Sequence, residues 1–110
     1  MKKINLVIYG ATGSIGSSVL SIVRCNRDKF NIQGVTGNKK YKKLIKIAKE
    51  FDVKKIGIGK IEKNIDKDLY KYSVFQDINS FNRIINTKTD IIIFAISGLI
   101  GIDLMMKLLR

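Results

Sequence analysis

The length, composition and charge of the chain exclude several classes of protein. With 110 residues and 45% hydrophobic content, it has the size and composition of one globular domain, and no apolar run reaches the roughly 18 residues of a membrane span. The single Cys25 excludes an internal disulfide, and the absence of histidine excludes histidine-based catalysis and histidine metal ligands. The net charge of +12 fits a polyanionic partner or a lysine-rich solvated surface. We favour the surface, because no aromatic stacking set lies among the basic residues.

Strand and helix patterns alternate along the chain. Apolar runs predict four strands, the third of them short: Lys3–Tyr9, Phe30–Thr36, Lys55–Ile58 and Asp90–Ile96. Tyr72–Phe75 is a candidate for a further strand. Helical periodicity predicts four helices: Ser14–Cys25, Tyr41–Phe51, Ile78–Asn86 and Ile102–Arg110. Residues 60–71 fit a short helix or a loop, and Gly98–Gly101 fits a turn. Because the chain enters a strand at once, we expect no signal or transit peptide.

This alternation predicts the α/β class with a doubly wound parallel sheet of the Rossmann type, truncated after the fourth or fifth strand. We expect the strand order 3-2-1-4, in which the fourth member is the run Asp90–Ile96. Its continuous apolar character is typical of a strand buried on both faces. A ligand cleft is then expected at the carboxyl ends of the first and last strands, beside the loops that follow Val35 and Ile96.

A glycine motif lies where the first strand meets the first helix. Gly10, Gly13 and Gly16 follow an apolar strand with the spacing G-x-x-G-x-x-G. Gly10 permits a sharp turn, Gly13 lets a diphosphate approach the backbone, and Gly16 lets the helix lie close to the strand. The motif therefore predicts a phosphate on the helix N-terminus, with a ligand-free tight turn as the alternative. The apolar face of the helix is predicted from four residues: Ile15, Val19, Ile22 and Val23.

The end of the second strand points to a particular dinucleotide. An NAD site usually has an acidic residue there to hold the ribose 2′-hydroxyl. This chain has no carboxylate at that place but a run of small, amide and ammonium groups: Thr36, Gly37, Asn38, Lys39 and Lys40. Such groups suit the 2′-phosphate of NADP. The alternative is that Lys39 and Lys40 are ordinary loop lysines.

The segment G-A-T-G-S-I-G-S-S-V-L-S-I-V-R resembles the opening of the 1-deoxy-D-xylulose 5-phosphate reductoisomerase family. That family typically has G-S-T-G-S-I-G followed by an apolar helix ending in V-R or I-R. Here Ala11 replaces the usual serine, and Arg24 falls at the helix-end arginine. The resemblance runs through all 110 residues and is weakest between Gly59 and Asn82.

The resemblance implies cofactor-contacting residues at three places. In the glycine turn they are Gly10, Thr12, Gly13, Ser14 and Ile15, and Ser14 could also cap the helix. After the second strand, G-V-T-G-N-K-K is similar to the family's A-L-T-A-N-K-N, which implies adenosine-phosphate contacts at Gly37, Asn38, Lys39 and Lys40. Lys40 replaces an asparagine of the family pattern. At the end of the last strand, Ala95, Ile96 and Ser97 fall on the nicotinamide side.

The implied protein is an NADPH-dependent reductoisomerase of non-mevalonate isoprenoid synthesis. Residues 1–110 would be its single NADP-binding Rossmann domain. Because the family's catalytic and metal-ligating positions have no counterpart in this sequence, we assign neither kind of residue and expect the 110 residues alone to be inactive. The divalent cation (Mg²⁺ or Mn²⁺), the sugar-phosphate substrate and a homodimer belong to the full-length enzyme, which we expect to be cytoplasmic.

Two other functions stay open at the level of the sequence. One is another NADP-dependent reductase that also begins with G-A-T-G, such as a semialdehyde dehydrogenase or a sugar-nucleotide epimerase. The other is a non-catalytic nucleotide-binding module. We expect neither a nucleic-acid nor a membrane partner. The acidic residues are scattered along the chain, and we expect them to be solvated.

Overall fold

The computed structural model describes residues 2–37, 41–59, 73–75, 81 and 83–96. The strands are β1 (Ile4–Tyr9), β2 (Phe30–Gly37), β3 (Lys55–Ile58), β4 (Ser73–Phe75) and β5 (Ile91–Phe94). The helices are α1 (Ser14–Cys25) and α2 (Tyr41–Phe51). These bounds agree with the predicted ones to within two residues. The predictions for residues 60–71, 98–101 and 102–110 lie outside the described residues.

The five strands form one parallel sheet in the order β4-β3-β2-β1-β5. The predicted order 3-2-1 followed by the last strand is therefore confirmed, and the short β4 lies outside β3. Parallel neighbours joined through α1 and α2 make this an α/β fold of the Rossmann type. All carboxyl ends of the strands consequently lie at the same edge.

The two faces of β1 pack against different clusters. Leu6 and Ile8 lie in the main core together with apolar side chains of α1 and α2. Val7 and Tyr9 face the other side of the sheet, because side chains alternate along a strand. Four buried residues form that second cluster: Val7, Tyr9, Phe81 and Ile84. Side chains thus cover both faces of β1.

The inward face of α1 differs from the predicted one. Its buried residues are Gly16, Leu20 and Val23, whereas Ile15 and Ile22 are 61% and 59% exposed. Gly16 packs against the glycine turn. The face of α1 that contains Gly16 is therefore the face that lies toward the sheet. Ile15 and Ile22 each lie one position before a buried residue, about 100° away around the helix axis, and they reach solvent. The other two predicted residues are confirmed, because Val23 is buried and Val19 packs against the main core.

The predicted helix Ile78–Asn86 is wrong in its described part. Phe81 and residues 83–84 have 3₁₀ geometry, and residues 85–86 are not helical. The carbonyls of Phe81 and Ile84 accept side-chain hydrogen bonds from Tyr9 and Lys55. The Asn86 side chain accepts from the Lys88 amide at 2.8 Å. Such side-chain to backbone bonds compete with helical ones.

Strand β5 is shorter and more exposed than its apolar run indicates. It spans Ile91–Phe94, and Ile91 and Ile92 are 44% and 43% exposed. Among the described strands β5 pairs only with β1, so one of its edges has no described neighbour. The expectation of burial on both faces is therefore wrong for the residues that the structure describes.

Candidate functional site

Gly10 ends β1 in a conformation that suits glycine. Its φ is +86°, a region that side-chain-bearing residues rarely adopt. A Cβ at this position would lie 2.8 Å from the carbonyl oxygen of Ala95 and 3.0 Å from a side-chain carbon of Ile96. The turn and the segment after β5 are therefore in close contact, as the predicted cleft requires. Ser97 lies outside the described residues.

Gly16 brings α1 close to the turn. A Cβ here would lie 2.5 Å from the carbonyl oxygen of Gly10 and 2.7 Å from backbone atoms of Ala11. These are contacts with backbone atoms, which could move only at a large cost in free energy. The third glycine of the motif is thus required by the packing of the helix against the turn.

Gly13 has the opposite surroundings. It is exposed, and the nearest heavy atom to a Cβ built on it is the Gly10 carbonyl oxygen, at 3.8 Å. Gly13 is the N-cap of α1 and supplies no side-chain hydrogen bond. The predicted capping role of Ser14 is therefore wrong, since Ser14 is the first helical residue. Among the described residues, none crowds the space next to Gly13 at the N-terminus of α1, where a larger side chain would stand beside the first helical amides.

The first turn of α1 has the chemistry of an anion site. Thr12 is half-buried, whereas Ser14 and Ile15 are exposed. Amides at the start of a helix have no intrahelical acceptor, and α1 has no acidic residue in its first turn. A diphosphate would fit here, because amide donors and the helix dipole both favour negative charge.

Thr36 holds the glycine turn from the end of β2. It is 1% exposed, and its Oγ1 accepts a hydrogen bond from the Gly10 amide at 3.0 Å. Its backbone carbonyl accepts from the Ala11 amide at 2.8 Å. The sequence points to Thr36 only as the place of a missing acid. Because β2 also contains Asn31 and Gln33, the polarity of Thr36 gave no local signal for this second role.

The glycine turn also lies beside the start of the β2–α2 connection. A Cβ at Gly37 would be 3.2 Å from the methyl group of Thr12. Lys43, in the first turn of α2, donates a hydrogen bond from Nζ to the Thr12 carbonyl at 3.0 Å. The structure therefore brings Gly37 to the predicted phosphate turn. The three residues that follow Gly37 lie outside the described residues: Asn38, Lys39 and Lys40.

Acidic side chains lie at the other edge of the sheet. Asp28 precedes β2, Glu50 lies in the last turn of α2, Asp52 follows α2, and Asp90 precedes β5. In a parallel sheet these places share the amino edge. Among the described residues, no carboxylate therefore lies beside the glycine turn. No group of three or more possible metal ligands occurs in the described part of the chain.

Other described groups fit a structural role. Burial raises the pKa of Tyr9 well above its ordinary value, and its hydroxyl donates to the Phe81 carbonyl at 2.7 Å. Cys25 is a free thiol and is exposed. Neither described helix is long and apolar enough to cross a membrane.

Relatives of known sequence point to one family. The model of the family described as 1-deoxy-D-xylulose 5-phosphate reductoisomerase matches residues 6–110. The chain is 42% identical to the reductoisomerase of Pelagibacter ubique over 113 aligned positions, which cover 93% of this chain and 27% of that protein. It is 33% identical to the enzyme of Clostridium botulinum strain Alaska E43, covering 94% of this chain and 28% of the relative. The chain thus spans under a third of these relatives' length.

Solved structures agree with the sequence matches. The reductoisomerase from Zymomonas mobilis in complex with NADPH superposes with a TM-score of 0.84 at 25% identity, covering 99% of this chain and 30% of that chain. A reductoisomerase in complex with NADPH, fosmidomycin and magnesium gives a TM-score of 0.75, also at 25% identity, covering 94% of this chain and 27% of that one. The family model, the sequence relatives and the fold coincide over nearly every residue, and the chain therefore belongs to the 1-deoxy-D-xylulose 5-phosphate reductoisomerase family, an oxidoreductase family.

Proposed function

We propose that residues 1–110 are the single NADPH-binding domain of such a reductoisomerase. The observation that supports this most strongly is the uncapped N-terminus of α1, where Gly13 leaves open space beside the first-turn amides. A diphosphate at this place would accept hydrogen bonds from main-chain amides and from the hydroxyls of Thr12 and Ser14. Five residues would hold it: Gly10, Thr12, Gly13, Ser14 and Ile15.

The 2′-phosphate would bind after β2. Gly37 lies next to Thr12, so the residues that follow Gly37 begin at the edge of the phosphate turn. Asn38, Lys39 and Lys40 offer an amide and two ammonium groups. Charge attraction and hydrogen bonding to a third phosphate would then favour NADPH over NADH.

The full-length reaction belongs to the proposal as well. In the family, 1-deoxy-D-xylulose 5-phosphate is rearranged and reduced to 2-C-methyl-D-erythritol 4-phosphate, in a cytoplasmic homodimer that requires Mg²⁺ or Mn²⁺. Bound NADPH supplies the hydride. This chain's residues would bind and orient the coenzyme, since no catalytic or metal-binding residue is assigned among them. We therefore expect no turnover by the 110 residues alone.

Calorimetric titration of the 110-residue chain with NADPH and NADH tests the coenzyme site. We expect NADPH to bind about tenfold more tightly, because one charge-assisted contact is worth roughly 1.5 kcal/mol. The variant Lys39→Gln/Lys40→Gln should bring the two affinities together without weakening NADH. Equal affinities of the parent chain for NADPH and NADH would contradict the proposed 2′-phosphate site. If the parent chain binds neither coenzyme, the proposed function is wrong.

A turnover assay tests whether the 110 residues alone can catalyse the reaction. The chain is mixed with NADPH, the sugar phosphate and Mg²⁺, and oxidation is followed by absorbance. We expect no rate above that of a blank without protein. Measurable turnover would contradict the statement that the catalytic groups lie outside these residues.

A further inference from the structure

Lys43 differs from the neighbouring lysines of α2 in what it touches. Lys42, Lys43 and Lys46 are all exposed residues of this helix. Only Lys43 of these three donates a hydrogen bond to the glycine turn within the described part of the chain, from Nζ to the Thr12 carbonyl at 3.0 Å. The contact spans 31 residues of sequence. It joins the element that follows the β2–α2 connection to the turn that precedes α1.

The acceptor in this contact has a special position. The Thr12 carbonyl shares one planar peptide unit with the Gly13 amide, so fixing the oxygen also fixes the direction of that N–H. Within the described residues, the Gly13 amide makes one hydrogen bond of its own, a long one of 3.4 Å to the Gly10 carbonyl. Glycine is also the residue with the greatest backbone freedom. The orientation of this peptide unit therefore depends strongly on Lys43.

Thr36 and Lys43 hold different parts of the same turn. Thr36 binds the amides of Gly10 and Ala11, where the turn begins. Lys43 binds the Thr12 carbonyl, immediately before the helix N-cap. Together they attach both parts of the turn to the β2–α2 side of the site. The buried threonine holds the base of the turn, and the lysine holds its tip.

The charge of Lys43 adds to this mechanical role. A neutral carbonyl accepts its hydrogen bond, which leaves a full positive charge at the carboxyl edge of the sheet. The four described carboxylates lie at the opposite edge. An ammonium group next to the N-terminus of α1 reinforces the positive potential of the helix dipole.

We infer that Lys43 is a positioning residue of the coenzyme site, which orients the Thr12–Gly13 peptide unit for the diphosphate and adds a cation at the rim. This inference rests on the proposed function for its ligand, but the orientation of the turn is a property of the free chain. The contact is thus testable both with and without NADPH.

The experiment compares three variants of the 110-residue chain. Lys43→Gln removes the charge and shortens the side chain, Lys43→Arg keeps a cationic donor, and Lys46→Gln removes an equal charge one turn further along α2. The first measurement is the backbone amide NMR spectrum without coenzyme. We expect Lys43→Gln alone to shift the Thr12 and Gly13 resonances and to speed their exchange with solvent.

The second measurement is NADPH affinity by calorimetry. We expect Lys43→Gln to weaken binding about three- to tenfold, the range for losing one charged but exposed hydrogen bond. Lys43→Arg should stay within about twofold of the parent. Lys46→Gln should also stay within about twofold, since a distant surface charge is screened by salt.

Several outcomes would overturn the inference. Equal loss of affinity in Lys43→Gln and Lys46→Gln would show a general charge effect and no positioning. Unchanged Thr12 and Gly13 resonances in Lys43→Gln would exclude the orienting contact, whatever the affinity. If the parent chain binds no NADPH, the proposed function fails, and the coenzyme-free spectra still decide whether Lys43 orients the turn.

Discussion

At the amino edge of the sheet a carboxylate pairs with two guanidinium groups, whereas at the carboxyl edge no described carboxylate pairs with a cation. Glu50, near the end of α2, accepts hydrogen bonds from Nε and Nη2 of Arg24. It also accepts one from Nη2 of Arg27 at 3.0 Å. The two guanidinium groups also lie over the ring of Phe51, 5.4 and 4.9 Å from its centroid. At the carboxyl edge, Lys43 meets a neutral carbonyl, and no described carboxylate lies nearby.

This difference separates a structural cluster from a binding surface. At the amino edge, a carboxylate, two guanidinium groups and an aromatic ring satisfy one another and tie the ends of α1 and α2 together. At the carboxyl edge, the first-turn amides of α1 and the ammonium group of Lys43 can donate hydrogen bonds to an external anion. The positions of the acidic residues therefore say more about where an anion can bind than the net charge of +12 does. Glu50 is exposed, as expected, and it also pairs with Arg24 and Arg27.

The largest expected effect concerns two glycines of the motif with opposite surroundings, the buried Gly16 and the exposed Gly13. Gly16→Ala should destabilise the fold by about 2–3 kcal/mol, because its Cβ would overlap backbone atoms of Gly10 and Ala11. Gly13→Ala should cost less than about 1 kcal/mol, since its Cβ meets open space and only the N-cap preference changes. Urea unfolding of both variants measures the contrast. Equal losses would show that the two glycines do not have different roles.

The next effect concerns the buried end of β2. Thr36→Val keeps the shape of the side chain but leaves the Gly10 amide without its acceptor, which should cost about 1–2 kcal/mol. Hydrogen exchange of the Gly10 amide should also become faster. Thr36→Ser keeps the hydroxyl and serves as the control, in which that amide stays protected. Fast exchange in the serine variant would mean that packing of the methyl group, and not the hydrogen bond, protects the turn.

A smaller effect concerns alkaline stability at the carboxyl edge. Burial raises the pKa of Tyr9 above its ordinary value of 10, so the unfolded chain releases this proton first. The stability that Tyr9 contributes is fully present below pH 10 and is lost as the pH rises further. Tyr9→Phe should cost about 1 kcal/mol at pH 7, because the Phe81 carbonyl loses its donor.

Thermal melts of the parent and of Tyr9→Phe between pH 7 and pH 11 measure this dependence. The gap between the two chains should narrow above pH 10, since only the parent loses the contribution of Tyr9. A gap that stays constant across this range would contradict the raised pKa.

The smallest effect concerns acid stability at the amino edge. The hydrogen bond from Arg24 lowers the pKa of Glu50 below its ordinary value of 4.5. Its contribution to stability is therefore present above pH 4.5 and is lost as the pH falls below that value. Glu50→Gln should melt slightly below the parent at pH 7, and the difference should shrink in acid. Asp52→Asn is the control, because the Asp52 side chain is 92% exposed; a similar pH dependence in this variant would dismiss the role of the Arg24 pair.

Local patterns predicted most of the strands and helices. The apolar run before Gly10 and the helical period after Ser14 depend only on neighbouring residues, and β1 and α1 agree with them. The exception was the stretch around Phe81 and Ile84. There the carbonyls are engaged by Tyr9 and Lys55, which are distant in sequence, and local periodicity could not reveal this.

The candidate site was predictable in its glycines and less so in its supports. Gly10, Gly13 and Gly16 have distinct roles that follow from their spacing. Thr36 and Lys43 look like ordinary members of a strand and of a charged helix face. Their contacts with Gly10 and Thr12 cross 26 and 31 residues of sequence, and no periodic pattern encodes such a distance.

The sequence by itself determined the strand–turn–helix unit, the alternation of elements and the family, because glycine spacing and hydrophobic period act over a few residues. Only the tertiary structure decided which face of α1 is buried, which hydrogen bonds hold the turn, and that the described carboxylates gather at the edge opposite the glycine turn. Those features come from parallel pairing, which brings remote segments to a common edge. Side chains that meet there are neighbours in space for reasons of topology and not of local sequence.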